Sequence, residues 1–178
     1  MKAICVFCGS ATGKNSKYID TARKLGRYLA ENNIKLVYGA GNIGLMGQVA
    51  DACLDAGGQV LGVIPDFLKE KEVCHTGLTE LIVTATMHQR KEIMEKRSDA
   101  FIVLPGGFGT LDEFFEILTW RQLGLHHKPI AIFNPDGYYD HLLQHIAHMK
   151  DQAFFRNAIE DLVIVETDLE RLMRRLRN

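Results

Sequence analysis

Neither sign of charge is in excess in this chain of 178 residues, because 21 lysines and arginines face 22 aspartates and glutamates, for a formal net charge of −1. Without a basic field, nucleic acid is not an expected partner. No apolar run approaches the ~18 residues that a membrane span requires. The apolar run near the N-terminus is short and ends at Gly9-Ser10, which does not suit a signal peptide. We therefore expect a cytoplasmic protein without a membrane partner.

Cysteine is scarce, and the four that are present are too few for a disulfide scaffold. Cys5 and Cys8 form a C-x-x-C pattern, which is also found at redox sites. A redox thiol of that kind lies at a helix N-terminus, where its pKa is lowered. Here the pattern falls in "AICVFC" (3–8), which reads as a buried strand. Residues three apart on a strand point to opposite faces, so we interpret the pair as small core residues.

Short apolar runs alternate with amphipathic stretches along the whole chain. Strands are predicted at 3–8, 34–39, 59–65, 80–85, 99–105, 128–134 and 162–166, and helices at about 16–31, 45–57, 86–98, 110–124, 138–149 and 168–177. Strands this apolar are typical of a parallel sheet buried on both faces by helices. The sequence predicts a single domain (1–178) with a doubly wound, Rossmann-like α/β fold of about seven parallel strands and helices on both faces.

Ligands of such folds bind at the carboxyl ends of the strands, where this chain has two glycine-rich turns. "GAGNIG" (39–44) has the G-x-G-x-x-G spacing of a dinucleotide-binding turn. It follows the second predicted strand rather than the first, and Pro65 stands where the ribose-binding acid is expected. We interpret these glycines as serving a tight turn, with NAD binding as a weaker alternative.

The second turn, "PGGFGT" (105–110), is better suited to an anion. Its glycines allow successive backbone N–H groups to turn inward, and the helix that follows presents its positive end there. No G-K-[ST] follows, so a monophosphate fits better than a nucleoside triphosphate. Asp112 and Glu113 come just after the turn. Thr110 as N-cap with Glu113 three residues later also makes a capping box, and the pattern alone leaves both interpretations open.

Arg90 and Lys91 favour the anion interpretation. They lie near the start of the predicted helix 86–98, where cations oppose the helix dipole. Their alternative role is as part of a solvated charged face. A metal site at His126-His127 is not expected, because no third ligand follows at a suitable spacing.

Two linked motifs, "TMHQRK" (86–91) and "LPGGFGTLDE" (104–113), resemble the LOG (Lonely Guy) family of cytokinin riboside 5'-monophosphate phosphoribohydrolases, formerly misannotated as lysine decarboxylases. "CVFCGS", "LVYGAGNIGLMG" and "GVIP" extend the similarity over nearly the whole chain. The resemblance implies Arg90 and Glu113 as the catalytic pair. It implies phosphate or substrate contacts from Gly106, Gly107, Phe108, Gly109, Thr110, Lys91, Thr119 and Glu72, to which the predicted rim of the sheet adds Ser10 and Gly41.

The resemblance also implies the reaction, which is hydrolysis of the N-glycosidic bond of a purine nucleoside 5'-monophosphate in a homodimer, without metal or organic cofactor. Glu113 would stabilise an oxocarbenium-like ribose or activate water. Thr86 stands where many relatives have an acid, which bears on the base accepted. A nucleotide or molybdenum-cofactor carrier is the leading alternative, followed by an NAD-dependent oxidoreductase. Lysine decarboxylation is disfavoured, because no lysine is marked as a Schiff-base partner.

Overall fold

The computed structural model describes residues 1–69, 73–155 and 159–178. Within these ranges seven strands form one sheet in the order β4-β3-β2-β1-β5-β6-β7, with every neighbouring pair parallel. The strands are β1 Ala3–Phe7, β2 Lys35–Tyr38, β3 Val60–Pro65, β4 Glu80–Thr84, β5 Ala100–Val103, β6 Ile130–Phe133 and β7 Ile164–Glu166. The predicted doubly wound fold is confirmed.

Helices cover both faces of the sheet. Those described are α1 Lys17–Glu31, α2 Gly44–Asp55, α3 Met87–Lys96, α4 Phe108–Gln122, α5 Asp140–Asp151, α6 Ile159–Leu162 and α7 Leu169–Arg177, with a 3-10 turn at Asp66–Leu68. One buried cluster lies between the sheet and α1, α2 and α7, and the other between the sheet and α3, α4 and α5. None of these helices combines the length and apolarity needed to cross a bilayer.

The C-x-x-C pair is divided between the two cores, as predicted. Cys8 belongs to the cluster under α1 and α2, whereas Cys5 belongs to the cluster under α3 and α4. Burial raises the pKa of both thiols well above the usual range. Neither is therefore the reactive thiolate of a redox motif.

The prediction that the strands are buried on both faces is wrong for β4. Leu81 and Val83 are two positions apart, so they lie on the same face of this strand, and each is 43% exposed. The physical reason is position, because β4 ends the sheet and has a neighbouring strand, β3, on one side alone.

The strand order reverses between β1 and β5. The chain adds strands outward from β1 to β4, then crosses over and adds β5, β6 and β7 on the other side. The loops after β1 and β5 therefore diverge at this point, which is where open α/β sheets bind ligands. Here the Gly9 N–H donates to the Pro105 carbonyl at 3.0 Å and joins the two loops.

Candidate active site

The β5–α4 turn (residues 105–110) places the start of α4 at the strand-order reversal. Gly107 is the N-cap and Phe108 the first helical residue, two positions earlier than predicted. Thr110 is therefore inside the first turn and buried, with its hydroxyl packed so closely under Gly106 that a Cβ there would overlap it. The capping-box alternative is wrong, because Gly107 takes the N-cap position and the first turn of α4 contains no acid.

The outer side of this turn is open. Gly107, Phe108 and Gly109 are exposed, and a Cβ built on either of these glycines would meet no atom of the described residues within 4 Å. The positive end of a 15-residue helix thus faces a space large enough for an anion. Phe108, predicted as a substrate contact, is 93% exposed and extends away from the protein.

Arg90 is buried, with 4% of its surface exposed, so its alternative role on a solvated face is wrong. Its Nη2 donates to the Gly39 carbonyl at the end of β2, at 3.0 Å. The pKa of the Cys5 thiol is raised first by burial, then by the negative charge of Glu113, while the positive charge of Arg90 opposes the rise. Both charges act on one thiol of β1, so Arg90 of α3 and Glu113 of α4 both lie near the centre of the sheet.

Lys91 reaches α4 rather than the glycines. Its Nζ lies 3.1 Å from the Asp112 carboxylate and 2.7 Å from that of Glu116. Partial burial favours the neutral amine, but the two carboxylates outweigh it and raise the pKa of Lys91. Lys91 therefore offsets the charge of two of the acids near the turn, which accounts for their presence close to an anion site.

The remaining predicted residues occupy different places. Ser10 is exposed and lines a cavity of about 270 Å³ together with Gly106 and Gly107. Gly41 is buried and forms a backbone bridge with Cys74. Thr119 lies on the exposed side of α4, three turns beyond Phe108. Glu72 lies outside the described residues.

Sequence reasoning missed two tyrosines. The Tyr138 hydroxyl donates to the Gly106 carbonyl at 2.6 Å, and the buried Tyr139 hydroxyl donates to the Leu104 carbonyl at 2.7 Å. Their position in the sequence could have indicated them. The segment "NPDGYYD" follows β6, so it lies at the same carboxyl edge of the sheet as the two glycine turns.

Thr86, the departure from many relatives, begins α3. Its hydroxyl accepts from the Gln89 N–H at 3.2 Å, while the Gln89 side chain accepts from the Ala85 N–H at 3.0 Å. The pair is similar to a capping box, although Gln89 accepts from the residue before the N-cap, so Thr86 has a structural role at the helix start.

The fold and the site together define the class, which is a Rossmann-like α/β protein with an open glycine turn beside a buried arginine and a carboxylate. A family model described as "Possible lysine decarboxylase" matches residues 46–176. A cytokinin riboside 5'-monophosphate phosphoribohydrolase of Rhodococcoides fascians is 49% identical over 170 residues, which are 95% of this chain and 86% of that protein. The phosphoribohydrolase LOG3 of Arabidopsis thaliana is 46% identical, over 98% of this chain and 81% of its own. The chain belongs to the LOG family of cytokinin riboside 5'-monophosphate phosphoribohydrolases.

Solved structures with the same fold include proteins that carry a cofactor. A molybdenum cofactor binding protein of Rippkaea orientalis superposes with a TM-score of 0.72 at 21% identity, covering 99% of this chain and 96% of that one. A molybdenum cofactor carrier protein of Chlamydomonas reinhardtii gives 0.72 at 20% identity, with the same coverage. At these identities the likeness concerns the fold alone.

Proposed function

We propose that this protein hydrolyses the N-glycosidic bond of a purine nucleoside 5'-monophosphate, either a cytokinin riboside monophosphate or AMP, to give free base and ribose 5-phosphate. The observation that carries the proposal is the open start of α4, with Glu113 further along the same helix and Arg90 buried on the neighbouring α3. The curated relatives, at 49% and 46% identity over most of the chain, have the same activity in their names.

The β5–α4 turn is the proposed site of the 5'-phosphate. Backbone N–H groups at Gly107 and Gly109 and the positive end of α4 favour a dianion there. The packing of Thr110 under Gly106 keeps the turn in this conformation. Ser10 stays a predicted contact, since it lines a cavity beside the turn together with Tyr18, Tyr138 and Gly106, whereas we propose the phosphate on the open outer side of Gly107 and Gly109.

Glu113 is the proposed catalytic carboxylate. Breaking the bond between C1′ and the base develops positive charge on the ribose, which a carboxylate stabilises, or the carboxylate deprotonates the attacking water. Arg90 would orient the ribose–phosphate and offset the negative charges around it. Phosphate binding would thus hold C1′ in position, so that part of the barrier is lowered by orientation. The proposal needs neither a metal nor an organic cofactor.

The carrier alternative requires binding without turnover. It gives no role to a buried Arg90 and a carboxylate near the same strand, whereas glycosidic hydrolysis uses both charges. Lysine decarboxylation would need a lysine free to form a Schiff base. Lys91, close to the turn, is held instead by Asp112 and Glu116.

We further propose a homodimer with the site near its interface. The outer side of α4 has a trough of about 420 Å³ lined by Phe108, Leu111, Asp112, Phe115, Glu116, Thr119 and Trp120. Just beyond it, Leu123 and Leu125 are 68% and 69% exposed, so apolar surface continues past the helix end. Phe108 and Thr119 are separated by roughly 16 Å along the helix axis. If the residues at both ends of α4 contact one nucleotide, they come from different subunits.

Two further features complete the proposal, namely the domain organisation and the cellular location. A single domain over 1–178 is supported by the sheet, which joins strands from both ends of the chain. The cytoplasmic location expected from the sequence stays a proposal, and the small number of cysteines agrees with it.

The test is product formation. The purified protein is incubated with AMP and with isopentenyladenosine monophosphate, without added metal, and free base is separated by chromatography. Free base from either substrate supports the proposal, and the ratio of rates shows whether the site prefers a prenyl tail. Binding seen as a raised melting temperature, without any base, would instead support the carrier alternative.

A further inference from the structure

The backbone before Gly107 is held by two other loops. Three successive carbonyls accept hydrogen bonds there: Leu104 from the Tyr139 hydroxyl at 2.7 Å, Pro105 from the Gly9 N–H at 3.0 Å, and Gly106 from the Tyr138 hydroxyl at 2.6 Å. The loops after β1 and β6 thus fix the course of the chain into α4.

The hydrogen bond to the Gly106 carbonyl also fixes the direction of the neighbouring backbone donor, the N–H of Gly107. In a trans peptide the carbonyl and the N–H point in opposite directions. Since the Gly106 carbonyl is directed at Tyr138, the N–H of Gly107 in the same peptide is directed away from it. Two adjacent glycines have more rotational freedom than any other pair, so this peptide has little intrinsic preference for that direction. Thr110 limits where Gly106 can lie, and the Tyr138 hydroxyl adds a constraint on the direction of the Gly106–Gly107 peptide.

Tyr138 is itself held in place. Its ring packs edge-on against Tyr18 and Tyr139, with centroids 5.5 and 4.8 Å apart. The Tyr139 N–H donates to the Asn134 side chain at 2.9 Å, and the Asn134 amide donates to Asp140 at 2.8 Å. The β6–α5 connection is therefore braced, and it presents the Tyr138 hydroxyl at a defined point.

We propose that Tyr138 is a positioning residue, whose hydroxyl holds the Gly106–Gly107 peptide so that the Gly107 N–H faces the bound phosphate. The inference rests on the proposed function, because it takes the β5–α4 turn as the phosphate site. Tyr138 has no part in bond cleavage. It lowers the cost of phosphate binding by removing the alternative peptide orientation before the ligand arrives.

The experiment compares the wild-type chain with Tyr138→Phe and Tyr18→Phe. Tyr138→Phe keeps the ring contacts and removes one donor. Tyr18→Phe removes a hydroxyl from the ring packed on Tyr138, and among the described residues that hydroxyl makes no hydrogen bond to the turn. Binding of inorganic phosphate and of adenine is measured by calorimetric titration, and KM and kcat are measured with AMP.

Tyr138→Phe should weaken phosphate binding and raise KM by about tenfold, the size of one lost hydrogen bond, with kcat changed by no more than about twofold. Adenine binding should not change, and Tyr18→Phe should match the wild type. Replacement of Tyr138 by 4-aminophenylalanine, which returns an N–H donor to the same place, should restore phosphate affinity.

Phosphate binding by Tyr138→Phe equal to that of the wild type would overturn the inference, and so would equal losses for phosphate and adenine, which indicate general damage. A wild-type chain that binds phosphate but releases no base would refute the proposed function and still leave the Tyr138 comparison decisive. A wild-type chain that binds no phosphate would refute both.

Discussion

The β2–α2 turn (residues 39–44) and the β5–α4 turn both contain three glycines and both lead into a helix. In the β2–α2 turn the helix start is occupied by protein, since the N–H groups of Leu45 and Met46 donate to the Gly9 carbonyl at 3.0 and 3.3 Å. A Cβ on Gly39 would overlap the Arg90 guanidinium, and a Cβ on Gly44 would overlap the backbone of Ser10 and Ala11. These glycines allow close packing, and the start of α2 is not available to a pyrophosphate.

In the β5–α4 turn, two of the three glycines face open space instead. The two turns thus have the same residue type for opposite reasons, one to admit protein backbone and the other to leave room for a ligand. This difference disfavours NAD binding at residues 39–44 and favours an anion at residues 105–110. Four substitutions test this difference between the two turns.

The largest effect is expected from Glu113→Gln, beside the β5–α4 turn. It keeps the shape of the side chain and removes its charge, so kcat for base release should fall by about 10²–10⁴-fold. The melting temperature should change little. Glu92→Gln, which alters an exposed carboxylate of α3, is the matched control and should retain full turnover. A Glu113→Gln enzyme with wild-type rates would refute the assignment of Glu113.

Gly44→Ala tests the β2–α2 turn. Gly44 has a φ of +64° and a Cβ there overlaps backbone atoms. The left-handed conformation and the forced displacement together should lower the free energy of unfolding by about 3 kcal/mol. Denaturant unfolding measures this loss directly. An unchanged unfolding midpoint would mean that the turn is not filled by protein.

Gly107→Ala should give the reverse pattern in the β5–α4 turn. Its φ of −96° suits alanine and the added methyl meets no described atom, so stability should change by no more than about 1 kcal/mol, the usual N-cap difference. The methyl would enter the proposed phosphate space, and KM for AMP should rise about tenfold. Steady-state kinetics and thermal unfolding of both glycine variants give the test. Similar losses of stability in both would remove the distinction between the two turns.

The fold was predictable from sequence because strands and helices alternate with clear apolar runs, and ranges such as 59–65 and 168–177 differ from the observed elements by one residue. The start of α4 was not predictable to the residue. Thr110 offers a better capping side chain than Gly107, yet the close approach of the Thr110 hydroxyl to Gly106 puts threonine inside the helix. This packing within the turn outweighed the capping preference of threonine.

The position of the candidate site could be predicted from the sequence better than its contacts. The rule for strand ends placed both turns on one edge of the sheet. The engagement of Lys91 with Glu116 depends on how α3 lies against α4, and no spacing in the chain reveals it. The hydrogen bond from Tyr138 to Gly106 joins residues 32 positions apart, so it too depends on the folded sheet.

The smallest effect is expected at the opposite edge of the sheet, which serves as a control for both turns. The Asp99 carboxylate accepts from the backbone N–H of Lys2, and also from that of Ala3 at 3.1 Å. The hydrogen bond from Lys2 is the main cause of a lowered pKa of Asp99 in the folded chain. Asp99→Asn keeps an acceptor and removes the charge, so it should cost about 0.5–1 kcal/mol at neutral pH at this exposed position.

The pH dependence of this loss identifies its cause. Because the pKa of Asp99 is lower in the folded than in the unfolded chain, the charged carboxylate stabilises the fold at pH values above the unfolded pKa of about 3.9. That stabilisation disappears as the pH falls through the folded value. The unfolding free energies of the wild type and Asp99→Asn should therefore differ by a constant amount from pH 6 to 8 and converge below roughly pH 4.

KM and kcat should stay at wild-type values, because Asp99 lies at the amino end of the strands and both turns lie at the carboxyl end. A change in KM here would mean that general loss of stability also reaches the site, and the kinetic effect of Gly107→Ala would then no longer indicate a phosphate contact.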